Sequence, residues 1–158
     1  MATSITVYAV TDAEIQMLTN YTISAKSLFI HLRGHDKAYL DGYWRMLGAF
    51  LTRDGKVTTL PATAVMKGDI ELPHIERGAH AIYADTNVRF TSLLASVTEE
   101  ELRQYVIKHE RTFAGMHNRN DSQAFEQDFW QFFLYLRVTA NKARDSHSGL
   151  IFIKWEEE

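Results

Sequence analysis

Hydrophobic and polar positions divide this chain into short β-branched runs and longer repeats of helical period. Ile5-Thr6-Val7-Tyr8-Ala9-Val10 is short and β-branched, which predicts a strand. Thr11 followed by Glu14 is a capping-box pattern and starts a helix at Asp12. Ile15, Leu18, Thr22, Ala25 and Phe29 then fall near one face, and Gly34 is a natural stop. Asn20-Tyr21-Thr22 is a poor helix former, so a break there is the alternative, with residues 27–32 then a strand. A second helix is expected over residues 36–50. There Leu40, Tyr43, Trp44, Leu47 and Leu51 recur at core-facing intervals, with Gly42 and Gly48 as weak points.

Beyond Leu51 the pattern shortens. Asp54-Gly55 is a hairpin signal between residues 49–51 and 57–60. Gly68-Asp69 separates residues 63–66 from 70–72, and Asp85-Thr86-Asn87 separates 79–84 from 88–94. This stretch reads as an antiparallel meander. Thr98 with Glu101 is a second capping box, opening a helix to about Phe113 with His109 on its inner face and Gly115 as its stop.

The last helix is expected from Ser122 to about Arg144. Its main stripe is Phe125, Phe129, Phe132, Phe133, Leu136 and Ala140; a second, Trp130, Leu134 and Val138, lies on the far side. A surface helix needs one apolar stripe. Two stripes predict cover on both sides, from the chain's own sheet or from another subunit. Residues 150–153 read as a closing strand. The expected fold class is α+β, in a single domain over residues 1–158. It combines an antiparallel meander of about four to six strands with about three or four helices. The C-terminal helix is central, and the N- and C-terminal strands are in the sheet.

Composition narrows the functional classes. The absence of cysteine excludes a thiol nucleophile, a disulfide framework and Cys-ligated metal, and fits a cytoplasmic location. Residues 1–5 have no basic stretch and no long apolar run follows, so neither a secretory leader nor a membrane span is expected. A net charge of −3 without a basic cluster argues against nucleic acid as a partner.

Seven histidines are the main chemical resource. His74 and His80 flank Glu76 and Arg77, Asp85 follows, and His117 lies in a polar loop with Arg119. In an enzyme, His74, His80, Asp85 and His117 are the residues to test first, as a small His/Asp-dependent hydrolase or nuclease. The order of His74, Asn87 and His117 is that of His-Asn-His nucleases. A whole predicted helix separates Asn87 from His117, where that family has a short connection, so no roles are carried over. His31 and His35 have the i, i+4 spacing of metal ligands, but Gly34 breaks the helix between them and no third donor is in view. Ser146-His147-Ser148 lacks the nucleophile-elbow spacing. No phosphate-cradling loop occurs, so no cofactor and no metal are assigned.

The aromatic content of 12% and the doubled stripe favour a non-catalytic protein-binding domain of adaptor, immunity or inhibitor type, acting by surface occupation. The contact candidates are Tyr39, Tyr43, Arg119, Trp130, Leu134 and Val138, with Tyr135 and Trp155 beside them. Another protein is the expected partner, or a second copy docked through the C-terminal helix. A sensor module with an aromatic pocket under that helix is a further alternative. An enzyme has to show convergent polar side chains in a pocket; a binding domain has to show an apolar or charged patch.

Overall fold

The computed structural model describes residues 2–20, 25–41, 44–51, 69–72, 79–109 and 122–157. Two nine-residue strands, β1 (Ala2–Val10) and β5 (Gly149–Glu157), run antiparallel side by side, from Ala2 opposite Glu157 to Val10 opposite Gly149. β2 (Lys37–Asp41) pairs on the outer side of β1. β4 (Ala79–Ile82) pairs on the other side of β5 and carries the short β3 (Ile70–Glu71). The strand order is β2-β1-β5-β4-β3, antiparallel throughout. The first and last strands thus occupy the middle of the sheet, and a simple hairpin succession survives only at β3–β4.

Alternation along the central strands sorts their side chains onto two faces. Ile5, Val7, Leu150, Phe152 and Ile82 join one core. Tyr8, Val10, Ile151, Ile153, Ala79 and Ala81 join another. The first face is covered by α3 (Trp44–Leu51), α4 (Ala84–Ala95), α5 (Glu99–Lys108) and α6 (Ser122–Asp145). The second is covered by α1 (Asp12–Asn20) and α2 (Ala25–Leu32), through Ile15, Leu18, Leu28 and Leu32. Helices on both faces explain why the facing stretches 5–10 and 150–153 carry apolar residues on both sides of the sheet.

α6 is the organising helix of its layer. It packs on α4 and α5 and across β1, β2 and β5, and it buries Phe129, Phe133, Leu136 and Ala140 completely. Each such large side chain is worth about 1.5–3 kcal/mol of burial. The second stripe divides along its length. Trp130 stacks on Phe133 (centroids 5.2 Å apart, planes 17°) and joins the core, Leu134 is half-buried, and Val138 is exposed.

Both capping boxes form. The Thr11 and Thr98 hydroxyls accept from the Glu14 and Glu101 amides, and each glutamate carboxylate accepts from its threonine's amide. At the other end of α6, the Ser148 amide donates to Ala143 O (2.7 Å) and the His147 amide to Arg144 O (3.0 Å). This is a Schellman cap, with His147 at φ 55° in the left-handed position usually taken by glycine. The buried Asn87 ties this cap to its surroundings: its Nδ2 donates to Ala140 O (3.1 Å) and Ser148 O (3.2 Å).

Several expectations are corrected. Residues 37–41 form strand β2, not the first turns of a helix, because pairing to β1 outweighs their helical spacing. Residues 88–94 lie in helix α4, not in a strand. Asp85-Thr86-Asn87 is its first turn, and Phe90 and Leu94 recur four apart on its buried side. Residues 27–32 are helical in α2, so an interruption after Asn20 separates two helices. The six described helices exceed the expected number for these reasons. Residues 49–51, expected as the first arm of the Asp54-Gly55 hairpin, are the last turn of α3, whose apolar face buries Phe50 and Leu51 in the core. The turn at Asp54-Gly55, the strands at 57–60 and 63–66, the helical turn to Phe113 and the Gly115 stop lie outside the described residues. Among the described residues, no helix is long and apolar enough to cross a membrane.

Candidate functional site

The edge strand β2 and the outer face of α6 enclose an apolar groove of about 520 Å³, lined by Ala38, Tyr39, Phe132, Tyr135, Val138 and Thr139. Strand alternation buries Ala38 and Leu40 and leaves Tyr39 exposed between them. On α6 the helical period brings Phe132, Tyr135 and Val138 out on the side away from Phe129, Phe133 and Leu136. Phe132 and Tyr135 meet edge to face, with centroids 6.2 Å apart. Asp36, Lys37 and Lys142 complete the lining, and Lys142 reaches Asp36 at 3.7 Å.

The groove gathers part of the expected contact set. Tyr39 and Val138, far apart in sequence, line it together, and Tyr135 joins them. Trp130 instead faces the core, with the Arg137 guanidinium 5.8 Å from its ring. Leu134 is half-buried on the same helix and does not line the groove. Tyr43 and Arg119 lie outside the described residues.

Of the candidate acid–base residues, His80 and Asp85 lie within the described residues and do not line a common cleft. Asp85 borders an open cleft of about 570 Å³ with Asp12, Gln16, Asp69, Tyr83 and Thr86. Two of its carboxylates serve the backbone: Asp69 Oδ2 accepts from the Tyr83 amide (2.8 Å) and Asp12 Oδ1 from the Ala84 amide (2.9 Å). Gln16 donates to the Tyr83 hydroxyl at 2.7 Å. His80 sits within β4, opposite Glu71 and Phe152, and does not line this cleft. Burial pushes the His80 pKa below its ordinary value, against the opposing pull of Glu71. His109, expected on the inner face of its helix, is the C-cap of α5, half-buried with its ring 4.3 Å from Tyr105. His74 and His117 lie outside the described residues.

A third convergence was hidden in the sequence. Glu14 Oε2 lies 3.1 Å from His31 Nε2 and 2.6 Å from His35 Nε2. Oε1 of the same carboxylate accepts from the Thr11 amide (3.0 Å) and hydroxyl (3.2 Å). The capping box therefore aims the free oxygen at the two imidazoles. Burial on its own would raise the Glu14 pKa; the Thr11 amide and the two histidines outweigh it and hold the carboxyl below its ordinary value. The sequence showed the spacing of His31 and His35 and the capping box separately; the third donor that was not in view there is Glu14, 17 residues ahead of His31.

The chain matches no protein-family model and no curated protein. Its fold is similar to the crystal structure of YfbM from Escherichia coli, a protein of unknown function, with a TM-score of 0.67 and 14% identity. The alignment covers 96% of this chain and 99% of that one. At that identity the likeness establishes a common α+β fold and carries no activity with it.

Proposed function

We propose that this chain is a non-catalytic protein-binding domain that takes an extended segment of another protein along the β2–α6 groove. One observation carries the reading. Tyr39, Tyr135 and Val138 are 56%, 53% and 49% exposed, and these three of the six large exposed hydrophobics among the described residues line a single groove. Scattered apolar side chains need no explanation, but a gathered set marks an interaction surface. The kind of partner follows from the neighbouring backbone. β2 is the terminal strand of the sheet, so its outer edge has no strand beside it among the described residues. A segment that pairs with this edge places alternate side chains over the groove, the mode of β-strand addition. Lys37, Asp36 and Lys142 supply a polar rim of both signs.

Selection from a displayed random-peptide library tests the proposal. The expected result is enrichment of segments that alternate apolar and polar positions. Their affinity falls about tenfold or more in Tyr135→Ser and Val138→Arg, and is unchanged in Ile107→Ser, an exposed apolar residue outside the groove. No enrichment, or binding indifferent to the groove substitutions, overturns it. A dimer in sedimentation equilibrium that dissociates on Val138→Arg assigns the groove to a second copy and equally overturns the foreign-partner reading.

A further inference from the structure

Glu14, His31 and His35 come from three places: the first turn of α1, the last turn of α2 and the turn that follows it. One donor atom from each lies within 4.8 Å of the other two. The two imidazole rings stand 5.5 Å apart at 44°, both presenting Nε2 to the same carboxylate oxygen. We propose that these three side chains bind a divalent transition-metal ion of the zinc class.

The dimensions fit. Donors bonded at about 2.0–2.1 Å to a tetrahedral ion stand roughly 3.3 Å from one another. The Glu14–His31 spacing of 3.1 Å already meets this, and the Glu14–His35 spacing of 2.6 Å meets it once His35 withdraws by about 0.7 Å. Two imidazoles and a carboxylate are a borderline donor set, suited to zinc, cobalt or iron(II) rather than to calcium or magnesium. The site also has an outer shell. Thr11 fixes the non-ligating oxygen of Glu14 through two hydrogen bonds, the kind of support that orients carboxylate ligands. Three protein donors leave a fourth position for water or an anion, and half-burial of Glu14 and His35 beside an exposed His31 leaves an entry path. A bound ion ties α1 to the end of α2. The site shares no residue with the β2–α6 groove, so its test stands apart from the peptide experiment.

The alternative is a simple ion-pair cluster, which predicts no metal dependence. Calorimetric titration of a tag-free, chelator-treated chain with zinc chloride separates the two, with cobalt(II) as a spectroscopic probe. The expected results are saturable binding of one ion per chain, a rise in Tm on adding zinc, and a visible cobalt band of low-coordinate N/O ligation. Glu14→Gln, His31→Gln and His35→Gln each weaken binding about tenfold or more. Glutamine serves a capping box as glutamate does, so Glu14→Gln preserves the start of α1 while altering the ligand. Unfolding of each variant in chelator confirms the fold. Absence of saturable binding overturns the proposal, as does undiminished affinity in the double variant His31→Gln/His35→Gln.

Discussion

Asn87→Asp replaces one terminal group of one buried side chain, and its effect can be worked out from the contacts. The wild-type Nδ2 donates to two carbonyls, Ala140 O and Ser148 O, in a fully buried site. An ionised carboxylate would set negative oxygen against both carbonyls, so the folded variant keeps its proton and donates one bond. The unfolded chain titrates near the ordinary aspartate value of about 3.9. Holding the proton at pH 7 therefore costs about 1.36 × 3.1, or about 4 kcal/mol. The lost hydrogen bond adds about 1 kcal/mol. At pH 5 the proton term shrinks to about 1.5 kcal/mol. The sign follows from proton uptake: the folded-state pKa is raised, the folded chain binds more protons, and stability falls as pH rises above the unfolded value. Urea unfolding of wild type and variant between pH 5 and pH 7 is the assay. The stability gap should widen by about 1.4 kcal/mol per pH unit, while the gap for Asn87→Ala, about 2–3 kcal/mol, stays flat. A gap for Asn87→Asp that is flat with pH, or under about 1 kcal/mol, refutes the assignment of Asn87 as a buried two-carbonyl donor.

Two further substitutions probe the same corner. A Cβ at Gly149 would collide with the Ile82 carbonyl oxygen and approach Tyr83 C at 3.0 Å and Ile82 C at 3.1 Å. Those atoms are backbone, so Gly149→Ala should cost about 3 kcal/mol or more, read as a fall in Tm; a loss below about 0.5 kcal/mol contradicts the close approach of β4 to β5. His147→Gly should stabilise the protein by about 0.5–1 kcal/mol, because a left-handed residue with a Cβ is strained while glycine is not. Chemical denaturation that shows no gain contradicts the cap geometry.

Local signals were legible and long-range ones were not. Thr11/Glu14 and Thr98/Glu101 announce helix starts through contacts three residues apart, and both form as read. The apolar runs 5–10 and 150–153 announce strands because burial on two faces leaves little room for polar residues. Leu40 illustrates the opposite case: it fits a helical repeat with Tyr43, Trp44 and Leu47, and only the pairing of 37–41 with β1 makes it a strand residue. Asn87 reads as a turn residue, since its value as a buried donor depends on Ala140 and Ser148, more than 50 positions away. Tyr39, Tyr135 and Val138, three of the nine residues lining the candidate groove, were legible as contact candidates, but that Tyr39 and Val138 line one groove follows from helix α6 crossing β2. The Glu14 carboxylate was spoken for as a cap, and nothing local says that its second oxygen faces two histidines.

The central pairing of β1 with β5 also sets a timetable. β1 leaves the ribosome well before β5, and β2 can cover one of its edges soon afterwards. The other edge waits for residues 149–157, so it stays open while the roughly 140 residues between the two strands are made. At about 5–20 residues per second that interval is roughly 7 to 28 s. Throughout it a strand carrying Ile5, Val7, Tyr8 and Val10 presents unpaired amides and carbonyls beside apolar side chains, the surface on which wrong strands add. Nascent chains of this fold therefore depend on whatever shields β1 until translation delivers its partner.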